Sequence, residues 1–488
     1  MTSTQEPTTD GPGATVGDSA SGTHPSTHDG VDPAAIPGIV AGVRDAADSG
    51  RTRPLQWRRR QLDGLITMLR RSGDELVEAL ARDFAKPRLE AHYTDIRFTL
   101  DEVRLLRRNL ERWTRPRRAK LRLVDQPGKA WVVPEPLGMS LVIAPWNYPV
   151  QLTVSPLAAS LAAGNAVVVK PSELAPETTA VLARLLREHL DSEAVAVLEG
   201  GPEVSTALLE EDFDHIFFTG STTVGRIVAQ AAARNLTPTI LELGGKSPAI
   251  VTDDADLDLA AKRITWGKFL NAGQTCIAPD YVLVSPHRRD QLVERIVDVI
   301  RTHYGTNPLS SPDLAAVVNE RHLARLRGLL TDHGGVIATG GNHDAVTRRF
   351  APTVVVDPSP DSALMADEIF GPILPVLSVE DLDAAIRFVN DRPKPLALYV
   401  FGEDETGIDR VVARTSSGGV CVNHVMFQVA PPELPFGGVG NSGWGRYHGR
   451  AGLEALSNMK PVYKRAVKPD ISLIYPPYTR LKERLLSM

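Results

Sequence analysis

The sequence predicts an α/β fold built from two parallel β-sheets, each covered by helices on both faces. Two series of short, apolar, β-branched segments support this, because each segment is followed by a turn and a stretch of helical periodicity. The first series comprises residues 140–144, 166–169, 194–198 and 215–218, and the second comprises 249–251, 281–284, 353–356 and 398–401. The break between them at Gly244-Gly245 predicts a boundary between two α/β domains, which 488 residues can accommodate.

The segments that flank the two sheets differ in composition. Residues 1–32 are rich in Ser, Thr, Gly, Pro and Asp and are predicted to form a disordered tail. Helical apolar spacing from residue 33 to about residue 113 predicts a set of antiparallel helices that belong with residues 143–245. Between them, residues 122–142 are broken by Pro127-Gly128 and predict a β-hairpin that reaches away from the main body. Residues 246–430 form the second unit, and the last part of 431–488 reads as an irregular extension.

Charge and cysteine content exclude several classes of protein. The net charge of −5 is modest and acids and bases are interspersed, so no nucleic-acid partner is expected. No run approaches the roughly 18 apolar residues of a membrane span, and no basic-then-apolar leader is seen. The two cysteines, Cys276 and Cys421, suggest neither a disulfide framework nor a zinc site. We therefore expect a cytoplasmic protein without a bound metal.

Cys276 is the strongest candidate for chemistry. It ends the segment Asn271-Ala-Gly-Gln-Thr-Cys276, and Glu242 lies upstream in another glycine-containing turn, Leu241-Glu-Leu-Gly-Gly-Lys246. A thiolate with a nearby base suits covalent catalysis, although a lone cysteine is more often a small buried apolar residue. Asn147 lies between Pro145 and Pro149, so its amide could be held as a donor to an oxyanion beside the backbone N–H of Cys276.

Three further turns could hold a dinucleotide. Gly220-Ser-Thr-Thr-Val-Gly225 follows a strand and opens a helix, where N–H groups and the helix dipole favour a phosphate, although the stricter GxGxxG pattern is absent. Lys170-Pro-Ser-Glu173 ends a strand and could bind ribose hydroxyls, with a carboxylate that favours NAD over NADP. Glu368-Ile-Phe370 offers an acid that could bind a second ribose and an aromatic side chain that could pack against a flat ring. Taken singly, each could be an ordinary structural turn.

Together these segments resemble the NAD(P)-dependent aldehyde dehydrogenase superfamily, because six motifs occur in the family's order between residues 36 and 480. The class 3 branch, the fatty and aromatic aldehyde dehydrogenases, is the most similar. The segments that resemble this branch are 237–248, 266–268, 278–281, 394–399 and 436–449.

The resemblance implies two Rossmann-like domains and an oligomerisation element. Residues 33–121 and 143–245 would bind NAD(P), 246–430 would be catalytic, and 122–142 with 431–488 would join a homodimer. Cys276 would be the nucleophile, Glu242 the general base and Asn147 an oxyanion donor. NAD, and possibly NADP, would be bound by Trp146, Lys170, Ser172, Glu173, Gly220, Ser221, Gly225, Leu243, Glu368 and Phe370.

The implied reaction is oxidation of an aldehyde to a carboxylic acid through a thiohemiacetal and a thioester on Cys276, with Glu242 activating the hydrolytic water. The alternative is a cysteine esterase or thioesterase with a base such as His448, which leaves the dinucleotide turns unexplained. The sequence leaves the aldehyde open between medium or long aliphatic and aromatic compounds. We expect a substrate funnel near Tyr148, Phe427 and His448.

Overall fold

The computed structural model describes residues 30–122, 125–431, 433–468, 470 and 474–486. The prediction of a disordered tail therefore falls almost wholly on residues outside the described ranges. At the start of the described chain, the backbone N–H of Val31 donates to the carbonyl of Glu199 at 2.9 Å.

The strands are, in chain order, β1 Arg117–Ala119, β2 Gly128–Pro136, β3 Met139–Ile143, β4 Ala166–Lys170, β5 Val195–Val197, β6 His215–Thr219, β7 Thr239–Glu242, β8 Pro248–Val251, β9 Tyr281–Val284, β10 Val336–Thr339, β11 His343–Asp344, β12 Arg349–Phe350, β13 Thr353–Val356, β14 Ile373–Ser378, β15 Ala397–Phe401, β16 Gly419–Val422, β17 Gly443–Trp444 and β18 Ser457–Arg465. All eight strands expected from the sequence are present to within about a residue at each end.

The α-helices are α1 Ile36–Asp48, α2 Leu55–Arg71, α3 Gly73–Phe84, α4 Arg88–Ala91, α5 Phe98–Thr114, α6 Pro149–Ala163, α7 Pro176–His189, α8 Pro202–Leu209, α9 Thr222–Arg234, α10 Leu257–Phe269, α11 Pro286–Tyr304, α12 Glu320–Leu329, α13 Ala363–Ala366, α14 Leu382–Asn390, α15 Glu405–Arg414, α16 Gly449–Ala455 and α17 Arg480–Leu486. A π-helical turn, His92–Arg97, joins α4 to α5. In the described ranges no helix is both long and apolar enough to span a membrane.

The first sheet has six strands in the order β17-β7-β6-β3-β4-β5 and is parallel except for β17. Every residue of β3, β4 and β6 is buried, as expected of strands covered on both faces. Helix α6 packs against β3 and β4 and is buried along almost its whole length, while the amphipathic helices α2 and α5 cover its outer side. The carboxyl ends of β3, β4, β6 and β7 lie along one edge of this sheet, where α/β sheets bind ligands.

The second sheet has seven strands in the order β10-β13-β14-β9-β8-β15-β16 and is parallel except for β10. Helices α10 and α11 pack on one face and α14 and α15 on the other, so each face has its own apolar cluster. The α/β architecture with two parallel sheets is therefore confirmed. Strand β14 was not predicted from the sequence. It contains Pro375, which is unusual inside a sheet, and yet it lies between β13 and β9.

The prediction of a self-contained hairpin at 122–142 is wrong. Strand β2 pairs with the short β1 on one side and, over nine residue pairs, with β18 on the other, so a three-stranded antiparallel sheet forms from distant parts of the chain. Strand β3 begins within the predicted hairpin but belongs to the six-stranded sheet. The extension at 431–488 is also less irregular than expected, because it supplies both β17 and β18.

Candidate active site

Two cavities meet at Cys276. The larger, of about 570 Å³, opens at the carboxyl edge of the six-stranded sheet and is lined by Asn147, Glu242 and Glu368 among others. The smaller, of about 100 Å³, is lined mainly by apolar and aromatic side chains. Cys276 lines both, together with Leu152, so its thiol can face a polar ligand on one side and an apolar ligand on the other.

The turn before Cys276 is held in a strained conformation. Asn271 and Ala272 after helix α10 have φ values of 51° and 52°, which cost about 1–2 kcal/mol for each residue that is not glycine. The buried Gln274 side chain stabilises the turn: its amide donates to the carbonyls of Asn271 and Ala316 at 3.0 Å, and its oxygen accepts from the Val318 N–H at 2.9 Å. The turn of residues 271–276 is therefore held by hydrogen bonds to several parts of the chain.

The environment of the Cys276 thiol favours its protonated form. Burial raises the pKa of the thiol far above its ordinary value, and the negative charges of Glu368 and Glu242 raise it further. The backbone N–H groups of Cys276 and Ile277 lie near the sulfur and oppose the rise. A proton must therefore leave the sulfur before or during attack on a substrate.

Glu242 ends strand β7 with its side chain buried and only 2% of the residue exposed. Neither carboxyl oxygen has a hydrogen-bond partner among the described residues. Burial raises the pKa of this carboxyl well above its usual value, and the positive charge of Arg446 partly opposes the rise. An acid with a raised pKa and no protein partner is suited to take a proton from water once it is ionised.

Asn147 lies in the turn after β3, as the two prolines around it predicted. Its side-chain amide donates to the Gln274 carbonyl at 3.0 Å, and its own carbonyl accepts from the Asn271 side chain at 2.8 Å. The bond to Gln274 occupies one of the two amide hydrogens, which leaves the second for a ligand in the cavity that Asn147 lines.

Six of the expected cofactor residues line the larger cavity, namely Trp146, Gly220, Ser221, Leu243, Glu368 and Phe370. Helix α9 presents its N-terminus to this cavity through Thr222 and Thr223, so its dipole and first-turn N–H groups favour a phosphate there.

The Glu368 carboxyl also fits a ribose. One of its oxygens is buried and has no partner in the described structure, and burial, reinforced by Asp280, raises the pKa of this carboxyl to about 8. A Cβ at Gly244 would lie 2.0 Å from the Glu368 carboxyl, so only glycine leaves room for this acid. The cavity therefore suits a dinucleotide, with hydroxyl groups at Glu368 and phosphates at α9.

The other four expected cofactor residues do not line this cavity. Lys170, Ser172 and Glu173 lie beyond it at the end of β4, where Lys170 is buried and donates to Glu173 at 2.6 Å. Gly225 is buried inside α9, and a Cβ there would lie 2.6 Å from the Leu243 side chain. Glycine at this position therefore allows α9 to pack closely against Leu243, which itself lines the cavity.

Sequence reasoning missed much of the lining of both cavities. His322 and Arg325 of helix α12 reach the larger cavity, and the His322 ring lies 5.5 Å from the Trp146 ring. The smaller cavity has Tyr148 and Phe427 as expected, and also Tyr93, Phe98, Trp266, Met426, Phe436 and Tyr447. These residues come from segments far apart in the sequence, and no local pattern marks them.

His448, the base of the esterase alternative, lines neither cavity. It is buried against the rings of Phe98, Phe436 and Tyr447, and its Nδ1 lies 3.7 Å from the Glu102 carboxyl. His448 is therefore not placed to act on Cys276 as the base that the esterase alternative requires.

Comparison with known proteins shows the family of the chain. The profile of the aldehyde dehydrogenase family matches residues 14–462. The chain is 45% identical to rat (Rattus norvegicus) aldehyde dehydrogenase family 3 member A2 over 91% of this chain and 92% of that one. It is 43% identical to the dog (Canis lupus familiaris) dimeric NADP-preferring aldehyde dehydrogenase over 90% of this chain and 97% of that one.

Among solved structures, that of substrate-bound AldH from Staphylococcus aureus superimposes with a TM-score of 0.90 at 40% identity, covering 93% of this chain and 99% of that one. The NADP complex of GapN from Methanocaldococcus jannaschii superimposes with a TM-score of 0.81 at 25% identity, covering 90% and 96%. The chain therefore belongs to the aldehyde dehydrogenase family, and its reaction is the oxidation of an aldehyde to a carboxylic acid with NAD or NADP.

Proposed function

We propose that Cys276 is the nucleophile of this oxidation, with Glu242 as the general base and Asn147 as an oxyanion donor. The observation that carries the proposal is the position of Cys276 on the wall shared by the polar and the apolar cavity. An aldehyde entering from the apolar side meets the sulfur with its carbonyl carbon, while a dinucleotide in the larger cavity lies on the other side.

In the first half of the reaction, the Cys276 thiol gives its proton to water and the sulfur bonds to the aldehyde carbon, forming a thiohemiacetal. The second amide hydrogen of Asn147 and the backbone N–H of Cys276 stabilise the oxyanion. When bound in the larger cavity, a nicotinamide would supply the acceptor for the hydride from this carbon. The product on Cys276 is a thioester.

In the second half, Glu242 takes a proton from a water molecule, and the resulting hydroxide attacks the thioester carbon. The C–S bond then breaks, the carboxylic acid is released, and the Cys276 thiolate takes the proton back from Glu242. The base must be ionised for this step, and its buried carboxyl holds a proton strongly. Deacylation is therefore the step that we expect to depend most on Glu242.

The six-stranded sheet unit, residues 33–121 and 143–245, would bind the dinucleotide, and residues 246–430 would supply the nucleophile. Glu368 and Phe370 would hold the nicotinamide end, Gly220 and Ser221 the phosphates, and Lys170 with Glu173 the adenosine ribose beyond the cavity. Ser172 and Gly225 would support these contacts through the backbone. The Glu173 carboxylate favours NAD, because it would repel a 2′-phosphate.

The apolar cavity supports an apolar aldehyde as the substrate. Its walls include the rings of Phe98, Trp266, Phe427 and Tyr447, and no Lys, Arg, Asp or Glu is among the lining residues that the structure describes. An aliphatic chain or an aromatic ring gains free energy by leaving water for this surface, whereas a charged aldehyde would lose its hydration without a partner.

The three-stranded sheet supports a homodimer. Strand β18 is the edge of this sheet, is largely exposed, and leaves one row of backbone groups without a strand partner in the described chain. A dimer has twice the chain mass of 52.9 kDa, about 106 kDa, and analytical ultracentrifugation that found only monomer would contradict this proposal.

The two free cysteines favour a reducing compartment, and we propose the cytoplasm.

Substitution of the nucleophile tests the proposal. Cys276→Ala should lower the rate of NADH formation with medium-chain and aromatic aldehydes to below about 1% of the wild-type rate, since the covalent step is lost. Cys421→Ala removes the other cysteine and should keep most of the activity. Aldehyde oxidation by Cys276→Ala at more than a few per cent of the wild-type rate would show that Cys276 is not the nucleophile.

A further inference from the structure

A cluster of ionisable side chains lies next to the turn of residues 271–276, and its members Lys86, Glu90 and Asp95 line neither cavity. Lys86 and Asp95 have fully buried side chains and form an ion pair at 2.8 Å. Glu90, on the short helix α4 between them in sequence, is half-buried and accepts from the backbone N–H of Asn271 at 2.9 Å. The mechanism proposed above uses none of these three groups.

Glu90 contacts the turn at its strained point. Asn271 is the first of three successive residues with positive φ, and the second, Ala272, is also not glycine. An N–H in such a buried turn needs an acceptor, and the Glu90 carboxyl is the acceptor that the structure gives it. Without it, the turn would lose a hydrogen bond exactly where its backbone conformation is least favourable.

The same segment contacts the turn a second time through Tyr148. The Lys86 ammonium lies 4.0 Å from the centre of the Tyr148 ring, and the Tyr148 hydroxyl is 2.6 Å from the Thr275 hydroxyl, next to Cys276. The π-helical turn that follows α4 carries Tyr93 and Thr94 to the wall of the apolar cavity. Such π-helical turns occur frequently at functional sites.

We propose that Glu90 is a positioning residue for the nucleophile: its carboxyl holds the Asn271 N–H and so keeps the turn that aims Cys276 at the junction of the cavities, while the Lys86–Asp95 pair fixes the segment that carries Glu90. This inference rests on the proposed role of Cys276. The hydrogen bond itself can be measured independently of that role.

A neutral acceptor should serve as well as a charged one. Burial raises the pKa of Glu90 to about 7; nearby Asp95 and Asp313 contribute to the rise, and Lys86 and the Asn271 N–H oppose it. Near neutral pH a large share of the carboxyl is therefore uncharged. Glutamine at this position keeps an acceptor oxygen, whereas alanine removes it.

Hydrogen exchange and kinetics of three variants test the proposal. In Glu90→Ala, the peptide containing residues 271–276 should exchange its amide hydrogens at least tenfold faster. The value of kcat should fall about tenfold, with little change in the KM for the aldehyde. Glu90→Gln should restore both values to within about threefold of wild type. Glu78→Ala, a change of an exposed glutamate on α3, should leave both as in wild type.

Two results would overturn the proposal. One is wild-type exchange of residues 271–276 and wild-type kcat in Glu90→Ala. The other is a Glu90→Gln protein that loses exchange protection or kcat by tenfold or more, and this result decides the question even if Glu90→Ala fails to fold. Turnover by Cys276→Ala would instead refute the proposed function and leave the exchange prediction standing.

Discussion

The pKa values of the Cys276 thiol and of the Glu242 and Glu368 carboxyls are all raised, and burial is the largest cause for each. Because the two carboxyls also oppose ionisation of the thiol, an ionised thiol would in turn make each carboxyl harder to ionise. Arg446 is the cation whose charge favours ionised Glu242. The protonation of this site therefore depends on a small number of charges at its edge.

Removing the charge of Arg446 should move the pH dependence of turnover. In Arg446→Met the pKa of Glu242 rises further, so the ionised base appears only at higher pH, and the acid limb of the kcat profile shifts upward. We expect kcat at pH 7 to fall several-fold and to recover at alkaline pH. Arg450→Met, which breaks an exposed pair with Glu454, is the control. If the acid limb does not shift in Arg446→Met, the charge of Arg446 does not influence the pKa of Glu242.

Glu173 should control the choice between NAD and NADP. Its side chain is partly exposed and paired with Lys170, so Glu173→Gln removes a charge that repels a 2′-phosphate and frees the lysine to bind it. The KM for NADP should fall about two- to fivefold, the range that a screened pair of charges allows, and the KM for NAD should rise. Steady-state kinetics with both cofactors measure this. An unchanged ratio of the two KM values would show that the 2′-phosphate of NADP does not bind near Glu173.

At the scale of elements, the loop between β16 and β17 returns to the six-stranded sheet and covers the base. Strand β17 pairs with β7, and Gly443 lies opposite Glu242. Gly437 in this loop has a φ of 158°, and a Cβ there would lie 2.3 Å from the Gly445 carbonyl oxygen and 2.9 Å from a Glu242 carboxyl oxygen. Glycine is therefore required for the loop to close over the carboxyl.

Gly437→Ala should displace the loop and the base together. We expect a loss of about 1–3 kcal/mol in the free energy of unfolding and a fall in kcat of at least tenfold. Thermal unfolding and steady-state kinetics check both values. Gly419→Ala is the matched control, since its Cβ would meet only the Gln428 side chain at an ordinary 3.5 Å. Full activity in Gly437→Ala would show that the loop does not constrain Glu242.

The elements that sequence reasoning missed share physical causes. The eight predicted strands are short apolar runs, and that composition is sufficient to identify them. Strand β18 contains Pro461 and consists mostly of exposed and half-buried residues without regular alternation. Its partner β2 lies more than three hundred positions earlier in the chain. Pairing over such a distance depends on the folded core between the strands, and local pattern carries no signal for it.

At the scale of the whole molecule, the site is assembled from both sheet units. Glu242 ends a strand of the first sheet, whereas Cys276 follows the helix α10 that covers the second. The sequence predicted the chemistry of these residues through the family resemblance, because motifs near a reacting atom are short and local. It could not predict the cavity lining, since Tyr93, Trp266 and Tyr447 meet only once both units are folded.

The most direct measurement of the central claim is a single-turnover experiment on Glu242→Gln. This variant keeps the nucleophile and lacks the base, so the thioester should accumulate. On mixing with NAD and an apolar aldehyde, we predict a burst of about one NADH per chain and an acyl mass increase on the peptide containing Cys276. No burst, or an acyl group on Cys421 instead, would contradict the account.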